Sequence, residues 1–453
     1  MQDTGKHQKI RSTSRRQRFA AVGIVLASSS GGGALANPTY QVLYAFTGLA
    51  DGSSPAGQLT FDPWGNLIGT TTNGGLFTGV AAPAGNGTVY KISPNRKFSV
   101  VYAFKGTTDG SEALAGVISD VWGNVYGTTQ FGGTAGGVGG TFGNGTVYQV
   151  TPSGQLSVLY SFKGGADGSS PLAPLSPDVF GNINGTALFG GNTSNATCIA
   201  DGPPFGCGTV FKISPWGQYS VRYTFTGESG VDGSNPWDGL ISDTWGNVYG
   251  TTFGGGLPGV SNVGNGTVFK VTPSGTENVL YEFTGYADGS SPYASLIGDN
   301  QGNLYGTTSG GGVEYALSGY GVVFKLEPNG HEVVLHTFTG GSDGGVPYAG
   351  LIGDCSGNVY GAATSGGIVN GGAGGAAGNG VVFKITANGT YKVLYSFNGG
   401  TDGANPFSTL IADQSGNLYG TATLGGIVGG PTGQSGNGVV YKVSGAGFDT
   451  SCW

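Results

Sequence analysis

The sequence predicts an all-β fold: a seven-bladed β-propeller of four-stranded blades, closed by the N-terminal strand joining the last blade. Three observations predict it. A unit recurs in seven copies, each copy holds four short β-like stretches, and the two chain ends supply complementary parts of one blade.

Gly-Asn followed by an apolar residue recurs at Asn66, Asn124, Asn182, Asn247, Asn303, Asn358 and Asn417, separated by 58, 58, 65, 56, 55 and 59 residues. Asp-Gly recurs with the same separations at Asp51, Asp109, Asp167, Asp232, Asp288, Asp343 and Asp402, always 15 residues before the first marker. The fifth copy shows the four stretches: 295–299, 303–308, 322–326 and 333–338, with Gly-rich or Pro-containing punctuation between them. The fourth stretch repeats as Tyr-x-Phe, from Tyr44 and Phe46 to Tyr395 and Phe397, with His336 once in place of Tyr. In Val42-Leu43-Tyr44-Ala45-Phe46 both alternating faces are apolar, which suits a strand packed on two sides. Blades stacked face to face make that environment; a solenoid is the competing architecture. The chain opens with a fourth-type strand (40–46) and ends after a third-type strand (439–443), so joining them completes the seventh blade.

Gly (95) and Pro (20) are abundant among the 453 residues, which without a period would suggest low complexity. The 22 Tyr, 23 Phe and 6 Trp instead supply apolar surface for a core. Residues 1–36 read as a signal peptide: a basic start through Arg18, an apolar run from Phe19 to Ala27, and Ala34-Leu35-Ala36. Arg15-Arg16 followed by Phe19 resembles a twin-arginine signal. Residues 37–453 then form a single propeller with a short C-terminal tail. Without the leader, 12 Lys and Arg face 24 Asp and Glu, so the mature chain is acidic. That balance argues against nucleic acid or an anionic membrane as partner, and no segment reads as a membrane span.

Four cysteines fit an oxidising compartment. Cys198 and Cys207 bracket a Gly- and Pro-rich insertion and are expected to close it as a disulfide. Cys355 and Cys452 remain as the other pair, pinning the tail to a blade. A metal site is the rival reading, but there is no Cys-x-x-Cys, and the mature chain holds only His331 and His336.

With strings such as Gly302-Asn303-Leu304-Tyr305-Gly306-Thr307-Thr308 and Gly264-Asn265-Gly266-Thr267-Val268-Phe269-Lys270, the chain resembles the GloVer (Gloeo-Verruco) tandem-repeat family from Tyr40 to about Val443. The resemblance implies an exported bacterial repeat protein of the kind that carries varied C-terminal anchors. It brings no catalytic residues with it.

The Asp-Gly carboxylates, one per unit, cannot supply the six to eight oxygens that calcium takes; Asp-Gly is turn chemistry. The Asp four residues before each Gly-Asn asparagine (Asp62 through Asp413) opens a tight hairpin. Gly-rich strings such as 371–380 lack the Lys-Ser or Lys-Thr and the helix of a phosphate loop. In an up-and-down blade the first-to-second and third-to-fourth connections share one face, and the longer, variable ones share the other. Length variation marks the latter as the functional face.

The residue that begins the innermost strand reads Ala56, Leu114, Leu172, Trp237, Tyr293, Tyr348 and Phe407, aromatic in four successive blades. The next position is small except for Asp238. Two readings follow: a ligand-binding arc of Trp237, Tyr293, Tyr348 and Phe407 for a sugar, or rings that plug a packed ring. Other departures on that side are Glu112, Glu228, Glu314, Tyr315 and Tyr320.

The expected function is a secreted, non-catalytic binding or scaffold propeller that recognises extracellular glycan or protein through its loop-rich face. The competing expectation is a polysaccharide hydrolase or lyase using Asp238 and Glu112, since a hydrolase needs two carboxylates across the bond. No cofactor and no metal are expected, and the chain is expected to act as a monomer, secreted or periplasmic, with cell-surface association implied by the resemblance.

Overall fold

The computed structural model describes residues 37–77, 84–133, 143–192, 206–227, 232–256, 264–313, 319–369, 372–373, 378–427 and 436–452. Every regular element among them is a β-strand, and the strands form seven antiparallel blades around a ring. Blades 1 to 7 begin at Thr60, Ile118, Ser176, Ile241, Ile297, Ile352 and Ile411. In blade 5 the strands are Ile297–Gly298, Leu304–Thr308, Val322–Leu326 and Glu332–Thr337, hydrogen-bonded in that order. The innermost strand of each blade is thus only two residues long, shorter than the sequence pattern suggests. Blade 7 takes its fourth strand from the other end of the chain: Thr39–Ala45 pairs antiparallel with Val439–Ser444, from Thr39 opposite Ser444 to Ala45 opposite Val439. All seven third-to-fourth pairings carry a bulge at the same place, as between Val89 and Tyr90 in blade 1.

One contact recurs at every seam between blades. The buried Phe that follows each fourth strand meets, edge to face, the aromatic ring at the centre of the next blade's third strand. The pairs are Phe46–Tyr90, Phe104–Tyr148, Phe162–Phe211, Phe225–Phe269, Phe283–Phe324, Phe338–Phe383 and Phe397–Tyr441, with centroids 5.1–5.5 Å apart. Such geometry adds about 0.5–1.5 kcal/mol per pair beyond the area it buries. The ring's other neighbour is the glycine at the centre of the second strand, as in Ile68-Gly69-Thr70 and Tyr305-Gly306-Thr307. A Cβ on Gly69 would come within 2.4 Å of the Tyr90 hydroxyl, and one on Gly306 within 2.6 Å of Phe324. That glycine is required by packing. The threonine after it stitches the seam: Thr70, Thr128, Thr186, Thr251 and Thr307 donate to the carbonyls of Ala115, Ala173, Asp238, Ala294 and Ala349, one blade on.

A second set of contacts runs round the outer strands. In four blades a ring four residues before the fourth-strand Tyr stacks on the Tyr or His of the preceding blade: Phe98 on Tyr44, Tyr219 on Tyr160, Tyr391 on His336 and Tyr40 on Tyr395, at 3.7–3.9 Å. The hydroxyls of Tyr40, Tyr219 and Tyr391 donate to the backbone carbonyls of Asp402, Asp167 and Asp343. In blades 4 and 5 the stacking position holds Glu277 and Glu332. Their Oε1 atoms are buried and have no hydrogen-bond partner among the described residues. Burial, with Asp232 beside Glu277 and Asp288 beside Glu332, pushes both carboxyls up to about 7.

The tail lies across the hairpin tips of blades 6 and 7. Cys355, in the first hairpin of blade 6, is disulfide-bonded to Cys452, 97 residues on. Phe448 packs on Tyr360, whose hydroxyl donates with the Lys384 ammonium to the Gly447 carbonyl. Thr450 donates to the Gln414 carbonyl in blade 7.

Two outcomes are expected. Deleting Thr39–Phe46 leaves Val439–Ser444 as an open edge and removes Phe46 from its seam. Unfolding free energy should fall by at least the ~3–5 kcal/mol of truncating a buried Phe, read by thermal and denaturant melts. Separately, Glu277 and Glu332 hold protons in the folded chain up to about pH 7, against 4.5 for an ordinary glutamate. Their contribution to stability is full below 4.5 and is lost as pH rises through 7. Melting temperature should fall across that window, and the E277Q/E332Q pair, whose amides donate at any pH, should flatten the slope.

Candidate binding site at the channel mouth

The mouth is built by the segment that leads from each Asp-Gly turn into the first strand. Both carboxylates of the repeat are consumed in holding turns. Asp51 accepts from the Tyr44 hydroxyl and the Thr47 amide, and Asp62 accepts from the amides of Trp64 and Asn66 and the Asn66 side chain. After each Asp-Gly turn one residue adopts a left-handed backbone: Ser54, Glu112, Ser170, Asn235, Ser291, Val346 and Asn405 have φ of 52–56°. Its amide donates to the preceding blade, as Ser54 does to the Asn437 carbonyl and Ser291 to that of Asn265. Val346 is the exceptional member, because a β-branched residue resists this conformation. The ring geometry imposes it in all seven blades.

Two residues further on lie the positions singled out from the sequence, and the structure brings them together. Trp237, Tyr293, Tyr348 and Phe407 line one cavity with Ala56, Leu114 and Leu172. Trp237 meets Tyr293 at 5.0 Å and 81°, Tyr293 meets Tyr348 at 4.9 Å and 82°, and Tyr348 stacks on Phe407 at 5.3 Å and 27°. The four rings are a continuous chain, each spending an edge or face on the next. The cavity is about 50 Å³, room for a few waters. Ligand pockets run to about 300–1,000 Å³, so a sugar would rest over this floor and not inside the channel. Phe253 packs behind Tyr293 at 4.9 Å. Sequence reading missed it, though its signal is there: the matching position in the other blades holds Thr72, Gln130, Leu188, Ser309, Thr364 and Thr423, none of them aromatic.

Asp238 lines the same cavity, and each of its carboxylate oxygens accepts a backbone amide. Oδ1 takes Gly239 N–H and Oδ2 takes Ser295 N–H of the next blade, both at 2.7 Å. Burial pushes its pKa up while these amides pull it down. Glu112 occupies the left-handed position of blade 2, two residues before Leu114, and is not part of the cavity lining. Burial raises its pKa. Asp238 is therefore the one carboxylate among the described lining residues.

Tyr320 packs its ring over Gly340. Glu228, Glu314, Tyr315 and Cys198 lie outside the described residues. Cys207 is disulfide-bonded. Among the described residues no group of three His, Cys, Asp or Glu side chains is placed to hold a metal ion.

The family model described as the Gloeobacter/Verrucomicrobia repeat matches residues 33–200 and 139–373. No curated protein matches the chain. Among solved structures, the extracellular domain of a protein assigned as a hybrid two component system from B. thetaiotaomicron is 11% identical, with a TM-score of 0.51. The match covers 88% of this chain and 39% of that one, so this chain spans well under half of that structure's length. A gluconolactonase from Xanthomonas campestris is also 11% identical, covering 94% of this chain and 93% of its own, at a TM-score of 0.41. The first of these likenesses is one of fold.

Asp238→Ala should lower unfolding free energy by about 1–3 kcal/mol, the penalty for leaving the Ser295 amide unpaired in a buried seam. Chemical denaturation checks it, and Asp238→Asn, which keeps one acceptor, should recover part of the loss.

Proposed function

The chain belongs to the Gloeobacter/Verrucomicrobia repeat family, and we propose that it is a binding or scaffold propeller acting outside the cytoplasm, recognising extracellular glycan or protein through its loop-rich face. The observation that carries this reading is the contrast between the two faces. First-to-second connections are five residues long in all seven blades and third-to-fourth connections in blades 1 to 6, as between Phe61 and Leu67 or Ile92 and Phe98. Second-to-third connections range from 13 residues between Thr308 and Val322 to 21 between Ala187 and Thr209. A scaffold that holds one face constant and varies the other places recognition on the variable one.

The aromatic chain at the mouth lies on that side, in the segments that lead from the Asp-Gly turns. Aromatic rings with polar neighbours such as Gln58 and Thr409 suit the apolar face and hydroxyl rim of a sugar. The Cys355–Cys452 disulfide supports an oxidising compartment. No helix among the described residues is long and apolar enough to cross a membrane. Binding is favoured over hydrolysis because the described lining brings one carboxylate, already engaged by two amides, to a task that takes two.

A glycan array with product analysis tests the reading. Retention without new reducing or unsaturated ends is expected. Trp237→Ala and Tyr293→Ala should each weaken retention by about tenfold; unchanged retention in both would make the arc purely structural.

A further inference from the structure

The C-terminal tail shows what the constant face can hold. Residues 446–449 lie against blade 6, which meets their main chain group by group. The Gly447 carbonyl lies 3.1 Å from the Lys384 ammonium and 2.7 Å from the Tyr360 hydroxyl. The Asp449 amide donates to Asp354 Oδ2 at 3.3 Å, and the Asp449 carbonyl accepts from the Cys355 amide at 3.0 Å. Two side chains add to this: Phe448 packs on Tyr360 at 5.1 Å, and the Asp449 carboxylate accepts from the Ser356 hydroxyl at 2.6 Å. Main-chain hydrogen bonds with side-chain contacts between them are how a groove reads a peptide.

The groups that hold the tail belong to the repeat. They are the Asp that opens the first hairpin, the Tyr six residues on, and the Lys opposite that Tyr on the third strand; in blade 6 the Tyr360 hydroxyl is 2.9 Å from Asp354 Oδ2 and Lys384 stands over the Tyr360 ring at 4.9 Å. Blades 4 and 7 carry the same three. The Tyr249 hydroxyl donates to Asp243 Oδ2 at 3.0 Å, with Lys270 over the ring at 5.5 Å. The Tyr419 hydroxyl donates to Asp413 Oδ2 at 2.8 Å, with Lys442 over the ring at 5.6 Å. The other blades break the set: Ile68 and Asn184 replace the Tyr in blades 1 and 3, Gln149 replaces the Lys in blade 2, and Lys325 in blade 5 is paired with Glu327.

Blades 4 and 7 differ from blade 6 in being uncovered. Asp354 and Lys384 are buried where the tail lies, whereas Asp243, Asp413, Lys270 and Lys442 are partly exposed. Lys270 and Lys442 make no hydrogen bond or ion pair among the described residues. The amides of Thr244 and Gln414, at the position of Cys355, likewise donate to none of them. Tyr419 faces blade 1, where it meets Phe61 at 5.6 Å. At the position of Ser356, blade 7 has Ser415 and blade 4 has Trp245, whose ring is 75% exposed. Each seat offers an ammonium and an amide to carbonyls and a carboxylate to an amide, in the arrangement that one peptide segment already occupies on blade 6.

We propose that the constant face of blades 4 and 7 carries two peptide seats, each built from the Asp, Tyr and Lys of its blade, for a partner protein's segment of the type Gly-aromatic-Asp. The seats lie on the opposite face from the loop-rich one and do not depend on the reading of that face. The intact, oxidised protein is titrated with a capped synthetic copy of residues 446–450, Ala-Gly-Phe-Asp-Thr, followed by ligand-observed NMR. Saturable binding with a Kd of about 1 mM is expected for so short a segment. The K270M/K442M variant, which removes a charge-assisted hydrogen bond from each seat, should weaken it by about tenfold, with an unchanged melting temperature. Replacing the peptide's Phe by Ala should weaken it as well, while Lys384→Met, in the seat the tail fills, leaves it unchanged. The proposal is overturned if no saturable binding appears up to about 10 mM, or if K270M/K442M binds the peptide as well as the parent. It is also overturned if Lys384→Met abolishes binding, since the peptide then enters only in place of the tail. A dimer in sedimentation that K270M/K442M dissociates overturns it too, by giving the seats to a second copy of the chain.

Discussion

The whole molecule depends on one constraint: a blade with two apolar faces must be covered on both. Four short strands cannot do this alone, so each blade lends the next a phenylalanine from its outer strand and receives one in return. The recurring letters of the repeat follow from that contact. The aromatic at the centre of the third strand receives the ring, the glycine beside it makes room, and the threonine after that glycine ties the backbone of the next blade. What the seam does not use, namely the channel mouth, the long connections and the hairpin tips, is left free to differ.

This division explains what could be read from the sequence. Seven units, four strands in each, closure by the N-terminal strand and the convergence of Trp237, Tyr293, Tyr348 and Phe407 on one cavity all follow from periodicity, because periodicity reports what every blade shares. The pairing of Cys355 with Cys452 came by elimination. The role of Asp238 was not legible: its departure from the small-residue pattern is plain in the letters, but its partner, the Ser295 amide, is 57 residues away and adjacent only once blades 4 and 5 are stacked. Glu112 likewise stands out as a letter, while its left-handed backbone and its place outside the cavity belong to the folded ring. The exposure of the hairpin aromatics Trp64, Trp122, Phe180 and Trp245 was not legible either, because it belongs to the folded ring and has no sequence period.

The two faces therefore carry information in different ways. One varies in the length of its connections from blade to blade. The other keeps every connection at five residues and varies only in which side chain sits at a fixed tip. Length variation is the easier signal to see, because it alters the spacing of the repeat, whereas a change of side chain at a fixed tip leaves that spacing untouched.

The closing strand also determines the order in which the molecule can come into being. Of the described strands, Thr39–Ala45 is synthesised first and its partner Val439–Ser444 last, about 400 residues later. Bringing such distant segments together costs ~5 kcal/mol in chain entropy, repaid only when the final blade forms. Until then the growing chain is an open arc with an unpaired edge at its leading end and, at completion, a matching edge at its trailing end. Those edges recognise each other whether or not they belong to the same polypeptide. Crowded, half-finished chains can therefore be spliced into swapped rings, and dilution or rapid closure is what keeps each ring to itself.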